Sequence, residues 1–220
     1  DSRVIPTENL SRVLASLDKP PKTLLSGSAI GFYGDRGSEV LDEKSKSGSD
    51  FLAEICSEWE EASSQAKDAG IRVVNLRTGI VVSPLGGALS KLLLPAKMGG
   101  GGPVGGGKQI QSWISLDDEI FAIHHLMMTE SCTGPYNLTS PNPVPQKKFA
   151  KILGRVIRRP AFMPLPGFMI RIMFGEMGKK LVLEGQHVEP SRLLESGFEF
   201  TYNDLESCLR NCLGRYKNTS

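Results

Sequence analysis

The sequence predicts an α/β protein: the C-terminal part of a doubly wound parallel sheet over residues 1–141, followed by a small, mostly helical C-terminal lobe over residues 142–220. Three observations carry this expectation. Apolar runs at Lys22–Ser26 and Ile71–Leu76 flank an amphipathic stretch of helix length, the order of a parallel crossover. Small residues crowd the end of the first run, where ligands bind in such sheets. After Pro141-Asn142-Pro143 the texture changes to helix-length segments separated by Pro and Gly.

The elements follow in order. Pro6 to Leu17 places Leu10, Val13, Leu14 and Leu17 on one helical face, and Lys19-Pro20-Pro21 ends it. Lys22–Ser26 reads as a buried parallel strand opening onto a loop. Phe51 to Lys67 is a helix with Phe51, Ile55, Trp59, Ala62 and Ala66 on one stripe, Asp50 as N-cap and Gly70 as the stop. Ile71–Leu76 is the next strand, trailed by a glycine-rich loop at Gly99–Gly107 and a segment Ser112–Leu116. A helix from Asp117 to about Glu130 and a short strand at Tyr136–Leu138 close the first unit. The lobe is expected to hold helices at about Gln146–Ile157, Gly167–Phe174 and Asn203–Leu213.

Bulk properties exclude several function classes. The 220 residues carry a net charge of +2, with Lys and Arg scattered among acids, which argues against nucleic acid as a partner. The densest basic stretch, Lys147 to Arg159, interleaves Phe149, Ile152, Leu153, Val156 and Ile157 at the spacing of an amphipathic surface helix. No run approaches the roughly 20 apolar residues of a membrane span. The four cysteines form no CxxC pair, which fits a reducing compartment; Cys208 and Cys212 stand i, i+4 without a third ligand. Adjacent His124 and His125 point to different sides of a helix, so no metal is assigned. Gly100-x-Gly102-x-x-Gly105 contains Pro103 and opens no helix, so it is rejected as a dinucleotide fingerprint.

The segment Ser26-Gly27-Ser28-Ala29-Ile30-Gly31-Phe32-Tyr33-Gly34-Asp35 reads either as a cofactor-facing strand end or as a tight strand-to-loop turn. SGSAIGFYG resembles the fifth-strand serine motif of extended short-chain dehydrogenases, and LRTGIVVSP, GGPVGGGKQIQSWISLDD and LEGQHVEPSRLLESGFEF extend the match over essentially the whole chain. Together they resemble the NADP-binding "epimerase family" of Rossmann-like proteins, which end in a small C-terminal domain. The resemblance implies NADP as cofactor, with NAD the weaker choice, and hydride transfer or epimerisation on an unidentified small hydroxyl or carbonyl compound. Beside it stands the alternative of a catalytically degenerate NADP-binding regulatory or scaffold protein. The chain is expected to be a monomer or homodimer, located in the cytoplasm because no targeting segment is visible, or in the plastid stroma after removal of a transit peptide. The first βαβ unit of the family, with its G-x-G-x-x-G turn, is expected to precede this stretch.

Residue by residue, the resemblance places Ser28 on the substrate's reacting oxygen, with Ser26 and Gly27 beside the cofactor. It puts Arg77 on the NADP phosphates, a task suited to a guanidinium fork, against the reading of a structural ion pair. Thr78, Gly79, Ile80 and Val81 would line the nicotinamide end, and Gln109 and Trp113 the substrate cleft, although Trp113 equally suits packing. One departure is plain: the Tyr-x-x-x-Lys proton-transfer pair is missing, with Leu52 and Cys56 at its positions. Tyr33 is the candidate stand-in, against the reading of an aromatic packed on the sheet.

Overall fold

The computed structural model describes residues 2–104, 106–161 and 185–216. In chain order it holds α1 (Val4–Ala15), β1 (Thr23–Ala29), a 3₁₀ turn (Ile30–Tyr33), β2 (Val40–Leu41), α2 (Phe51–Glu61), α3 (Ser64–Asp68), β3 (Arg72–Thr78) and β4 (Ile80–Val82). Then come α4 (Gly87–Lys97), β5 (Ile110–Gln111), β6 (Trp113–Ser115), α5 (Leu116–Met128), β7 (Gly134–Leu138), β8 (Val144–Pro145) and α6 (Gln146–Ile157). Beyond residue 184 follow β9 (His187–Val188), α7 (Ser191–Glu195) and α8 (Leu205–Cys212). The expected helix at Gly167–Phe174 lies outside the described residues.

The central sheet is parallel, in the order β1-β3-β7. Small parallel pairs β4-β6 and β2-β9 and an antiparallel pair β5-β8 surround it. Side chains alternate along β3. Val73 packs with Ala66 and Leu14 of α3 and α1, whereas Val74 and Leu76 pack with Ala122 and Leu126 of α5. Both faces are therefore covered, as a parallel sheet requires.

Several expectations need correction. The apolar stripe on α1 is mostly not a core face: Leu14 packs inward, Ser11 is buried, and Leu10, Val13 and Leu17 are exposed. The expected single helix from Phe51 breaks after Glu61, because the Ser63 hydroxyl donates to the Glu60 carbonyl and the Ala66 N–H is taken by Ser11 Oγ. Asp50 does cap α2, accepting from Leu52 N and Ala53 N, and Gly70 at φ +83° supplies the stop. Helix α4 and strand β4 were not expected. Strand β1 continues through the small residues to Ala29, so Ser26, Gly27 and Ser28 lie in the sheet, registered against Asn75, Leu76 and Arg77, and not in the loop.

The C-terminal residues are pinned to the sheet unit by a buried carboxylate. Ser115 caps α5 by accepting from Asp118 N, and Asp118 in turn accepts from the backbone N–H of Thr201 and Tyr202 at 2.7 and 3.1 Å. Residues 187–200 return to the sheet, β9 beside β2 and α7 beside β7, with Glu43 accepting from Asn137 N and Arg192 N. The α6 and α8 helices pack instead on α4 and β4 around Trp113.

Candidate functional site

A cleft of about 200 Å³ opens at the carboxyl ends of β1 and β3. Ala29, Ile30 and Gly31 form one rim and Thr78, Gly79 and Ile80 another, with Leu52 and Cys56 of α2 between them and the stretch Ile110–Ser112 with Gln186 opposite. Carboxyl ends of parallel strands are where doubly wound sheets bind ligands. Gly79 makes the crossing into β4 feasible: a Cβ there would lie 2.6 Å from the Ser112 carbonyl oxygen and 2.8 Å from Thr139 Cγ2. Its backbone N–H donates to Leu138, and Ile80 N–H donates to Ser112, which fixes the rim.

Beneath the cleft lies a closed polar network. The Arg77 fork donates from Nε to Glu60 Oε1 at 2.8 Å and from Nη2 to Oε2 at 2.9 Å. Its Nη1 donates to the Tyr33 hydroxyl at 3.0 Å, and its guanidinium lies 3.5 Å over the Phe32 ring. Ser28 Oγ donates to the same Glu60 carboxylate at 2.6 Å, and Tyr33 donates onward to Asn137 Oδ1 at 2.7 Å. Arg77 is 4% exposed and Tyr33 fully buried. Burial pushes the Tyr33 hydroxyl up to about 12, against the lowering pull of Arg77.

This network overturns three sequence expectations. Arg77 spends its fork on Glu60 and so does not present it to cofactor phosphates. Ser28 gives its proton to Glu60 in place of a substrate oxygen. Tyr33 is a sealed hydrogen-bond relay inside the fold, unsuited to exchanging protons near neutrality. Glu60, which holds both Arg77 and Ser28, reads in the sequence as one of several acids on an amphipathic helix.

The remaining candidates divide. Thr78, Gly79 and Ile80 do border the cleft. Val81 packs with the core on the α5 side. Gly27 sits under Trp59, whose ring would lie 2.8 Å from an added Cβ, and the Ser26 hydroxyl is buried without a partner among the described residues; neither borders the cleft. The Gln109 amide donates to the Val104 carbonyl, and Trp113 is fully buried with its indole N–H on the Asn142 carbonyl, so neither faces the cleft. The cleft-facing members of that region are Ile110, Gln111 and Ser112, between Gln109 and Trp113. The positions of the absent proton-transfer pair are in the cleft wall, but burial and the Glu60 charge push the Cys56 thiol up to about 11, leaving it protonated.

One acid stands out. Glu119, in the first turn of α5, is 8% exposed; its Oε1 accepts from the Thr78 hydroxyl at 2.9 Å and its Oε2 is buried without a partner among the described residues. Burial pushes its carboxyl up to about 7, the Thr78 hydrogen bond opposing. A carboxyl raised from 4.5 to about 7 by folding lets stability stand intact below 4.5 and removes it as pH rises through 7. Glu119→Gln is therefore expected to stabilise the protein by up to about 3 kcal/mol above neutral pH and by little in acid. Urea unfolding at both pH values checks it, and an unchanged difference across the range refutes it.

Comparisons with known proteins complete the description. The domain family DUF1731, a domain of unknown function, matches residues 165–212. The epimerase family protein MT2273 of Mycobacterium tuberculosis is 41% identical over 209 residues, 95% of this chain and 69% of that protein. The chloroplastic SDR39U1 homologue of Arabidopsis thaliana is 42% identical over 190 residues, 86% of this chain and 54% of that protein. A crystal structure of the human epimerase family protein SDR39U1, isoform 2, with NADPH has a TM-score of 0.91 at 30% identity, covering 98% of this chain and 73% of that one. Identity at this level along nearly the whole sequence, on a parallel sheet with its cleft at the strands' carboxyl ends, means that the chain belongs to the SDR39U1-like epimerase family.

Proposed function

We propose that this protein binds NADP(H) with the nicotinamide end in the cleft between Ala29–Gly31 and Thr78–Ile80, and acts on a small carbonyl or hydroxyl compound as an oxidoreductase or epimerase relative. The observation that carries the reading is the cleft itself, set at the carboxyl ends of two adjacent parallel strands and rimmed by small residues and close-packed backbone. Its size and apolar wall suit a flat ring, and the NADPH held by the human relative supports the choice of cofactor. When bound, that cofactor supplies hydride chemistry. The chain's own part is to bind through the Gly31 and Gly79 rims and to exclude water with Leu52, Ile80 and Ile110.

The fit covers one end of the cofactor. Among the described residues the cleft wall contains no Lys or Arg, and Arg77 is committed to Glu60, so the phosphates are assigned to residues other than these. A second reading, a cofactor-binding protein without turnover, is favoured by Leu52 and Cys56 at the proton-transfer positions. The test is a fluorescence titration of NADPH and NADH into this chain and into a form carrying a further βαβ unit ahead of it. Tight binding of NADPH by the longer form, with NADH weaker, is the expected result; no binding by either form overturns the proposal. A panel of carbonyl compounds and sugars then separates turnover from binding alone.

A further inference from the structure

We propose that Thr78 and Glu119 form the proton-exchange pair of this cleft, the Thr78 hydroxyl passing a proton between the Glu119 carboxyl and an oxygen atom bound against the β3–β4 turn. The inference rests on the cleft being the reacting end of the site proposed above, and it answers the question left by Leu52 and Cys56. The geometry has three parts. Thr78 is in the cleft wall, its hydroxyl is 2.9 Å from Glu119 Oε1, and Glu119 Oε2 is buried with no hydrogen-bond partner among the described residues. A hydroxyl has one proton and two lone pairs, so it can donate to a carboxylate in one state and, once the carboxyl is protonated, accept from it and donate elsewhere.

The proton step balances. Thr78 gives its proton to the bound oxygen as that oxygen acquires a lone pair, and takes the Glu119 proton in the same event; Glu119 is left as carboxylate and recovers a proton from solvent. In the opposite direction the pair accepts the proton of a substrate hydroxyl. The surroundings leave Glu119 free to serve both states. From β3 it meets Thr78, while Arg77 is turned to Glu60. Strands β1, β4 and β6, which also pack on α5, bring no titratable side chain. On α5 itself Asp118 is held by Thr201 and Tyr202, Asp117 is exposed, and His125 bonds Ser196. Among the described residues no cation pairs with Glu119. Burial accordingly brings the carboxyl to about 7, where both states are populated.

Two measurements on the longer form carrying the further βαβ unit test the pair. The first is infrared difference spectroscopy of the wild type against Glu119→Gln over a pH series. A protonated carboxyl band is expected to disappear with a midpoint near 7, and Thr78→Val is expected to move that midpoint upward, since the lost hydrogen bond favoured the ionised form. The second is the ratio of NADP⁺ to NADPH affinity, in which the titration of the phosphate common to both cancels. An ionised carboxylate beside the cleft favours the cationic ring, so the ratio is expected to rise up to about tenfold as pH passes from one unit below the midpoint to one unit above, and to stay flat in Glu119→Gln. A missing band, an unmoved midpoint in Thr78→Val, or a flat wild-type ratio with both dinucleotides bound overturns the pair. If neither dinucleotide binds, the cofactor reading falls, while the infrared midpoint and its shift still decide between pair and isolated acid.

Discussion

Glu60→Ala is expected to destabilise the protein by about 3–5 kcal/mol, because it leaves the Arg77 guanidinium buried without its counter-charge. The Arg77 and Glu60 side chains are 4% and 12% exposed, and two parallel hydrogen bonds join them. Ser28 loses its acceptor in the same substitution. The loss belongs to an uncompensated charge and not to the net worth of an ion pair, so the double replacement Glu60→Leu with Arg77→Met is expected to recover most of it. Chemical denaturation of Glu60→Ala and of the double variant measures this. A single-variant change below about 1 kcal/mol would mean that the pair is exposed and weak, returning Arg77 to candidacy as a phosphate ligand.

Trp113→Ala is expected to cost about 3–5 kcal/mol through loss of buried area and the cavity left behind. Trp113 is fully buried among Val82, Leu89, Phe149 and Leu209, where β4, α4, α6 and α8 meet, and its indole N–H satisfies the Asn142 carbonyl. Trp113→Phe keeps most of the packing and forfeits that hydrogen bond, so about 1–2 kcal/mol is expected. A residue lining the cleft would behave differently, with binding falling while unfolding stayed put. Stability and NADPH affinity measured on the Phe variant therefore discriminate: a stable variant that binds weakly refutes the packing role.

Both experiments concern residues whose importance was legible and whose task was not. Motif resemblance drew attention to Ser28, Tyr33, Arg77 and Trp113, and all four are buried at the heart of the fold. Yet the partner of Arg77 is Glu60, on α2, and that of the Trp113 indole is the Asn142 carbonyl, on the loop after β7. Local pattern carries no information about such pairs, since any of the acids on the Phe51–Glu61 helix has the same composition signal. Glu119 was similarly hidden as one more acid in the sequence Leu116-Asp117-Asp118-Glu119 at the start of a helix. Its distinction is its burial against Thr78.

By itself the sequence determined the class and order of the main elements, the cap of α2 at Asp50, the turn at Gly70 and the family. These depend on period, on short-range hydrogen bonding and on backbone sterics, all written within a few residues. Only the tertiary structure decided that β1 runs on to Ala29, that α2 stops at Glu61, and that Ser28 of the serine motif turns to Glu60 instead of the cleft. Those outcomes depend on strand register and on which buried polar groups must satisfy one another. A buried guanidinium takes the carboxylate that the fold brings to it, and what remains to face a ligand is whatever such pairing leaves over.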